Sequence, residues 1–276
     1  MSARAVDDGV GVARERVVAE SQTKALTVES VSKSFGAVKA VEDVTFSIEP
    51  GSLSCLIGPN GAGKSTLLHC VSGVLRPERG RVALGKQDIS RWSPHRRARA
   101  GLGIVFQIMR APRGLDVWSS TMVGCHAWTR SGFLSAVFRA PWQLREERMI
   151  RAEAWQALTT VGLERRARDA AEGLPLGQLR LLALARVLAQ RPQLLLLDEP
   201  VAGLRAGEKA QLMDVLHDLR KRGLTQILIE HDIQFVGSVA DRVIVLDRGR
   251  VIADGPPEQV RHDERVVEAY LGAATL

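Results

Sequence analysis

One run constrains this chain more than any other: Gly58-Pro59-Asn60-Gly61-Ala62-Gly63-Lys64-Ser65-Thr66, placed between the apolar run Leu53–Ile57 and a segment of helical periodicity. Its spacing is G-x-x-x-x-G-K-S, in the strand, loop and helix context that such a loop requires. Gly58, Gly61 and Gly63 permit backbone angles and close approaches that a side chain would block. The N–H groups of the loop and the N-terminus of the following helix then point at one anion. Lys64 adds a point charge suited to β- and γ-phosphates, and the Ser65 hydroxyl is a ligand for Mg²⁺. The alternation of strands and helices along the chain predicts a parallel α/β sheet with crossover helices.

The rest of the chain repeats that rhythm. Strands are expected at Leu26–Val31, Val44–Ile48, Leu53–Ile57, Ile104–Phe106, Leu194–Leu197, Gln226–Ile229 and Val243–Leu246, and helices at Ser65–Val74, Arg145–Val161, Gln178–Gln190, Gly207–Arg222 and Ile233–Ala240. Runs such as Leu194–Leu197 lack alternation, as expected of strands covered on both faces. Between about 108 and 178 no strand run stands out, and the segment is mostly helical, basic and tryptophan-bearing (Trp118, Trp128, Trp142, Trp155). We expect a tail over 1–24, a nucleotide-binding α/β core over 25–107 and 179–255, an inserted helical subdomain over 108–178, and a C-terminal extension over 256–276. The total of 276 residues is enough for one to two domains at about 150 residues each.

Two further strand ends carry chemistry. Leu194–Leu197 runs into Asp198 and Glu199, adjacent residues that face opposite ways on a strand. Asp198 suits a magnesium shell, and Glu199 suits polarising a water for attack on a γ-phosphate. His231 follows the apolar run Gln226–Ile229. The C-terminal ends of parallel strands form the ligand crevice, so His231 is expected beside the same phosphates.

Charge and cysteine content narrow the partners. The net charge is +7, yet residues 91–168 alone hold 14 arginines against five acidic residues. Such a surface attracts phosphates, anionic headgroups or acidic loops, or is simply a solvated arginine-rich face. Three cysteines without C-x-x-C spacing read as small core residues, not as disulfides or a zinc site. No apolar run approaches the roughly 18 residues of a membrane span, and the first 24 residues hold no apolar signal core. The chain is therefore expected inside the cell, reaching a membrane only through a partner.

Taken together, the chain resembles the nucleotide-binding subunits of ATP-binding-cassette transporters over about residues 26–272. The motifs come in family order: the phosphate loop at 58–65, Phe106-Gln107, a signature-like Leu174-Pro175-Leu176-Gly177-Gln178, the strand 194–199 and His231. GPNGAGKST, LPLGQ, EPVAGL, IEHD, the apolar-aromatic stretch 132–142 and the ending ADGPPEQVRHDERVVEAYLG are most similar to cassettes of branched-chain amino-acid importers. The resemblance implies a P-loop NTPase core with a mainly parallel sheet, N-terminal antiparallel strands and an inserted helical subdomain.

It further implies ATP and Mg²⁺ as cofactors. Phe35 would lie under the adenine. Gln107 would touch Mg²⁺ and the attacking water. Gly177 and Gln178 would reach the γ-phosphate of a second cassette in a head-to-tail dimer. Transmembrane permease subunits and, indirectly, a substrate-binding protein would be partners at the cytoplasmic face of the plasma membrane. The basic region, with Phe138 and Trp142, would face the permease or the headgroups, although buried packing suits these two aromatics better. Three positions depart from the family pattern: Pro175 replaces the signature serine, Arg205 replaces an aspartate, and Leu179-Arg180 stands where a second glutamine is usual. Competing readings are a soluble ATPase of the same fold acting on nucleic acid or ribosomes, an export or lipid-transport cassette, and a non-hydrolysing regulatory subunit. The absence of heptad coiled coils and of a second cassette in the chain speaks against a nucleic-acid partner.

Overall fold

The computed structural model describes residues 26–107, 113–129 and 141–273. Among these residues ten strands form two sheets. In chain order they are β1 (Leu26–Phe35), β2 (Val38–Ile48), β3 (Leu53–Ile57), β4 (Arg79–Leu84), β5 (Gln87–Asp88), β6 (Leu102–Val105), β7 (Leu194–Asp198), β8 (Thr225–Ile229), β9 (Arg242–Asp247) and β10 (Arg250–Gly255). The helices are α1 (Lys64–Ser72), α2 (Pro94–Arg99), α3 (Val117–Met122), α4 (Pro141–Val161), α5 (Leu176–Leu188), α6 (Ala206–Lys221), α7 (Ile233–Val239), α8 (Pro257–Arg261) and α9 (Glu264–Ala273). All seven expected strands and all five expected helices are present; β2 begins at Val38, six residues before the expected Val44, and the other ends shift by four or fewer.

The six-stranded sheet has the order β10-β9-β3-β8-β7-β6, parallel from β9 to β6, with β10 antiparallel at its edge. A second, antiparallel sheet has the order β2-β1-β4-β5. The apolar runs without alternation follow from two cores, one on each face of the parallel sheet. Leu194, Leu196, Ile227, Ile229, Ile244 and Leu246 pack toward α1 and the antiparallel sheet. Leu195, Leu197, Leu228, Val243 and Val245 pack toward α4, α5, α6 and α7. A strand buried on both faces keeps no polar side to read.

The described residues between 113 and 173 form α- and 3₁₀-helices joined by turns, with only an isolated bridge, Asp116 to Ala170, in extended pairing. The 3₁₀ segment Val123–Ala127 lies against α5 so closely that a Cβ on Gly124 would sit 1.9 Å from the Arg186 carbonyl oxygen. Trp128 Nε1 donates to the Ala189 carbonyl at 2.9 Å. All three cysteines are free and buried, in line with their expected core role. Burial pushes the Cys70 thiol up to about 11 and the Cys125 thiol up to about 12, so neither is a thiolate nucleophile at neutral pH.

One correction concerns the basic region. Arg97 is wholly buried and contributes nothing to surface charge. It donates to the carbonyls of Cys70 (2.7 Å), Val71, Ser90 (3.0 Å) and Trp92 (3.1 Å). The last turn of α1 ends in unpaired carbonyls, and the guanidinium fork is shaped to satisfy several at once. Elsewhere, Arg96 stacks on Trp92, Arg168 lies over Trp118 and Arg191 over Trp128. The packing expected of Phe138 and Trp142 lies outside the described side chains. Among the described residues no helix is long and apolar enough to cross a membrane.

Candidate functional site

Strand register assembles the site. Leu56 and Asp198 are both level with Ile229, and Val105 is level with Leu197. The residues that follow these parallel strands therefore emerge along one sheet edge: Gly58 after β3, Gln107 after β6, Glu199 after β7, and Glu230 and His231 after β8.

The phosphate loop is clasped from behind by backbone. A Cβ on Gly58 would lie 2.0 Å from the Leu246 carbonyl oxygen, and one on Gly63 2.1 Å from that of Ala40. The Gly249 amide donates to the Ala62 carbonyl at 3.0 Å. Gly58 has φ 149 and Gly63 has φ 100, values that L side chains rarely adopt. At Gly61, in contrast, a Cβ would meet nothing within 4 Å, so the loop is open on its outer side. Sequence reasoning missed Ala40, Leu246 and Gly249, because they act through main-chain atoms whatever their side chains.

Lys64 begins α1, and its Nζ donates to the carbonyls of Gly58 (2.7 Å) and Pro59 (2.9 Å). Half-burial lowers its pKa, opposed by the nearby carboxylates of Glu199 and Asp198. Asp198 is 8% exposed. Burial first, then Glu199, push its carboxyl above the usual range, while His69, Lys64 and Arg180 pull it back. A cation between Ser65 and Asp198 would relieve that cost. Magnesium prefers one or two protein oxygens completed by phosphate oxygens and water, and this donor set fits it.

Glu199 leaves the strand with φ 47, its amide donating to the Ile229 carbonyl at 2.9 Å. Its carboxylate stays within electrostatic reach of Asp198. Gln107 Nε2 donates directly to Glu199 Oε2, bringing together two residues 92 apart in sequence. Phe106 lies 6.4 Å from His69, ring to ring. His231 is exposed at the end of β8, and its amide donates to Glu230 Oε2 at 3.3 Å.

Other expected site residues lie apart. Phe35 ends β1, is 50% exposed, and has Lys33 Nζ 5.6 Å from its ring centre. It is therefore not a core phenylalanine. Gly177 and Gln178 open α5 behind Pro175. Gly177 is buried and faces Glu208: a Cβ there would lie 2.3 Å from Glu208 Oε1. Glu208 Oε2 in turn accepts from the amide of Arg205, the exposed N-cap residue just before α6. Gln178 Oε1 is buried with no partner among the described residues.

Comparison with known proteins agrees with this geometry. Residues 41–202 match the family model described as ABC transporter, and residues 250–275 match that of the branched-chain amino acid ATP-binding cassette transporter. The chain is 36% identical to the high-affinity branched-chain amino acid transport ATP-binding protein BraF of Pseudomonas aeruginosa, over 90% of this chain and 98% of BraF. It is 35% identical to LivG of Escherichia coli K12, named for the same transport, over 90% and 98%. It is also 32% identical to the lipopolysaccharide export system ATP-binding protein LptB of Haemophilus influenzae, over 90% and 97%. Among solved structures, the ADP conformation of MJ1267, an ATP-binding cassette of an ABC transporter, superposes with a TM-score of 0.79 at 30% identity, covering 90% and 99%.

Proposed function

This chain belongs to the ATP-binding-cassette transporter family, whose cassettes couple ATP hydrolysis to transport, and from that premise we propose that it powers an importer of branched-chain amino acids or similar small polar solutes. The observation that carries the substrate class is the match of residues 250–275 to the branched-chain cassette model, supported by the names of the relatives in two organisms.

In the proposed reaction the N–H groups of Gly58, Asn60, Gly61, Ala62, Gly63, Lys64, Ser65 and Thr66, with the turn set by Pro59, surround the phosphates. Phe35 stacks on the adenine, an exposed ring being free to do so. Lys64 leaves the loop carbonyls for the β- and γ-phosphates. Ser65, Gln107 and Asp198 would hold Mg²⁺, which supplies charge neutralisation between the phosphates when bound. Glu199 orients the attacking water and accepts its proton, with Gln107 fixing the carboxylate. His231 and Lys64 steady the charge that develops on the transferred phosphoryl group.

A second cassette would close on this one, with Gly177 and Gln178 donating to its γ-phosphate. Pro175 brings no hydroxyl to that contact. The helical region 108–178, joined to the site at Gln107, would carry closure to transmembrane permease subunits at the cytoplasmic face of the membrane, a substrate-binding protein delivering the solute from the other side. Purification of the chain from native membranes in mild detergent tests the assignment: two polytopic proteins and a second small cassette are expected. Ribosomal proteins or nucleic acid in their place would overturn it. Glu199→Gln should further trap a MgATP-dependent dimer in sedimentation, and a monomer at every ATP concentration would remove the two-cassette model.

A further inference from the structure

Three loops bear on the γ-phosphate side of the site: the one after β6 with Gln107, the one after β7 with Glu199, and the one after β8 with His231. Two buried charges of opposite sign join them. Arg180, on the first turns of α5, is 8% exposed. A helical side chain leans toward the N-terminus of its helix, and here that lean carries the guanidinium back to the strand ends. Its Nη1 donates to the Gln107 carbonyl at 3.0 Å and its Nη2 to the Ala202 carbonyl at 3.4 Å. Glu230, with no exposed surface, is the counterpart. Its Oε1 accepts from the Val201 amide at 3.0 Å and its Oε2 from the His231 amide at 3.3 Å.

Arg180 thus holds the β6 loop to the β7 loop, and Glu230 holds the β7 loop to the β8 loop, at the adjacent residues Val201 and Ala202. Burying two charges is costly, and apolar residues would fill the same volume at lower cost. What apolar residues would not do is fix backbone carbonyls and amides from three separate loops. The guanidinium also lies within electrostatic reach of Glu230, Glu199 and Asp198, so it offsets the crowding of carboxylates around the phosphate loop.

We propose that Arg180 is a positioning residue for hydrolysis: it sets the place of the Gln107–Glu199 pair through the Gln107 backbone, with Glu230 completing the strut to His231. The inference rests on the assignment of Gln107 and Glu199 to the attacking water. A strut that places the water but does not touch nucleotide changes kcat and leaves KM for ATP alone. Small misplacements of reacting groups are expensive, on the order of 100-fold for about 1 Å.

The test is single-turnover hydrolysis of MgATP by the full chain, with ATP affinity and thermal midpoint measured beside it. Arg180→Met is expected to slow turnover by about tenfold or more, with KM within about twofold. Arg180→Lys keeps the charge but has no planar fork for two carbonyls, and recovers only part of the loss. In a Gln107→Ala background, Arg180→Met should add less than about threefold, because its effect already passes through that side chain. Full turnover in Arg180→Met, additive losses in the double variant, or parallel falls in kcat, affinity and thermal midpoint would each overturn the proposal. If Arg180→Met does not fold, Arg180→Lys is read by the same criteria, and failure of both to fold assigns Arg180 to stability alone and overturns it. Undiminished turnover in Gln107→Ala would refute the underlying site assignment as well, whereas slow Gln107→Ala beside normal Arg180→Met would refute only the strut.

Discussion

Gly177→Ala and Glu208→Ala form a cycle whose signs can be worked out in advance. An alanine methyl at 177 would meet Glu208 Oε1 at 2.3 Å and its Cδ at 2.6 Å, so the carboxylate must swing away. Its bond from the Arg205 amide, 2.9 Å long, is then lost. A hydrogen bond to a charged acceptor contributes about 1.5 kcal/mol or more, and a carboxylate in the first turn of α6 adds about 0.3 kcal/mol through the helix dipole. Replacing glycine within a helix returns about 0.5 kcal/mol. Gly177→Ala should therefore destabilise the chain by about 1.3 kcal/mol. In the Glu208→Ala background the obstacle is gone and only the helix preference remains, so the same change should stabilise by about 0.5 kcal/mol. With a urea m-value of about 3 kcal/mol/M, the midpoint moves down by about 0.4 M in one background and up by about 0.2 M in the other. Equilibrium urea unfolding by circular dichroism reads both. A shift of the same sign in the two backgrounds would refute the reasoning.

Asp198→Asn should stabilise the nucleotide-free chain by about 1 kcal/mol at neutral pH while abolishing hydrolysis, since function holds this carboxylate in an unfavourable place. Burial raises the folded pKa above the unfolded one, so the penalty is absent below the unfolded value near 3.8, grows as pH rises from there and is complete above the folded value; urea midpoints of variant and parent should converge in acid. Arg97→Met leaves the carbonyls of Cys70, Val71, Ser90 and Trp92 without their donor and should cost about 3 kcal/mol or more in unfolding experiments. Phe35→Ala should weaken ATP binding by about fivefold, worth ~1 kcal/mol, in equilibrium dialysis, with little change in unfolding because the ring is half exposed.

How much of this is legible in the sequence depends on what a residue touches. β7 and β8 announce themselves because both faces are apolar. β4, reading Arg-Gly-Arg-Val-Ala-Leu, gives no such signal: its first half is exposed, and only pairing with β1 makes it a strand. β10 lies at an edge with exposed or half-exposed residues at all but one position, and it is hidden for the same reason. For α2 the signal is present but short: Ser93 caps the helix, Pro94 begins it, and the rest is mostly arginine. Lys64, Asp198, Glu199 and His231 can be read because their chemistry is in their side chains. Arg180 is visible only as a departure from a pattern, and Glu208 not at all, since each is defined by a backbone or glycine partner brought near by folding.

The close approach of Gly124 to the Arg186 carbonyl, with Trp128 tied to Ala189, has a mechanical consequence. The 3₁₀ segment after α3 is latched to the C-terminal turns of α5, while the N-terminal turn of α5 sits on Glu208. A push on α3 cannot be absorbed by slack at that contact, because there is no room for even a methyl group. It is passed directly to α5, whose other end bears on Glu208 through Gly177.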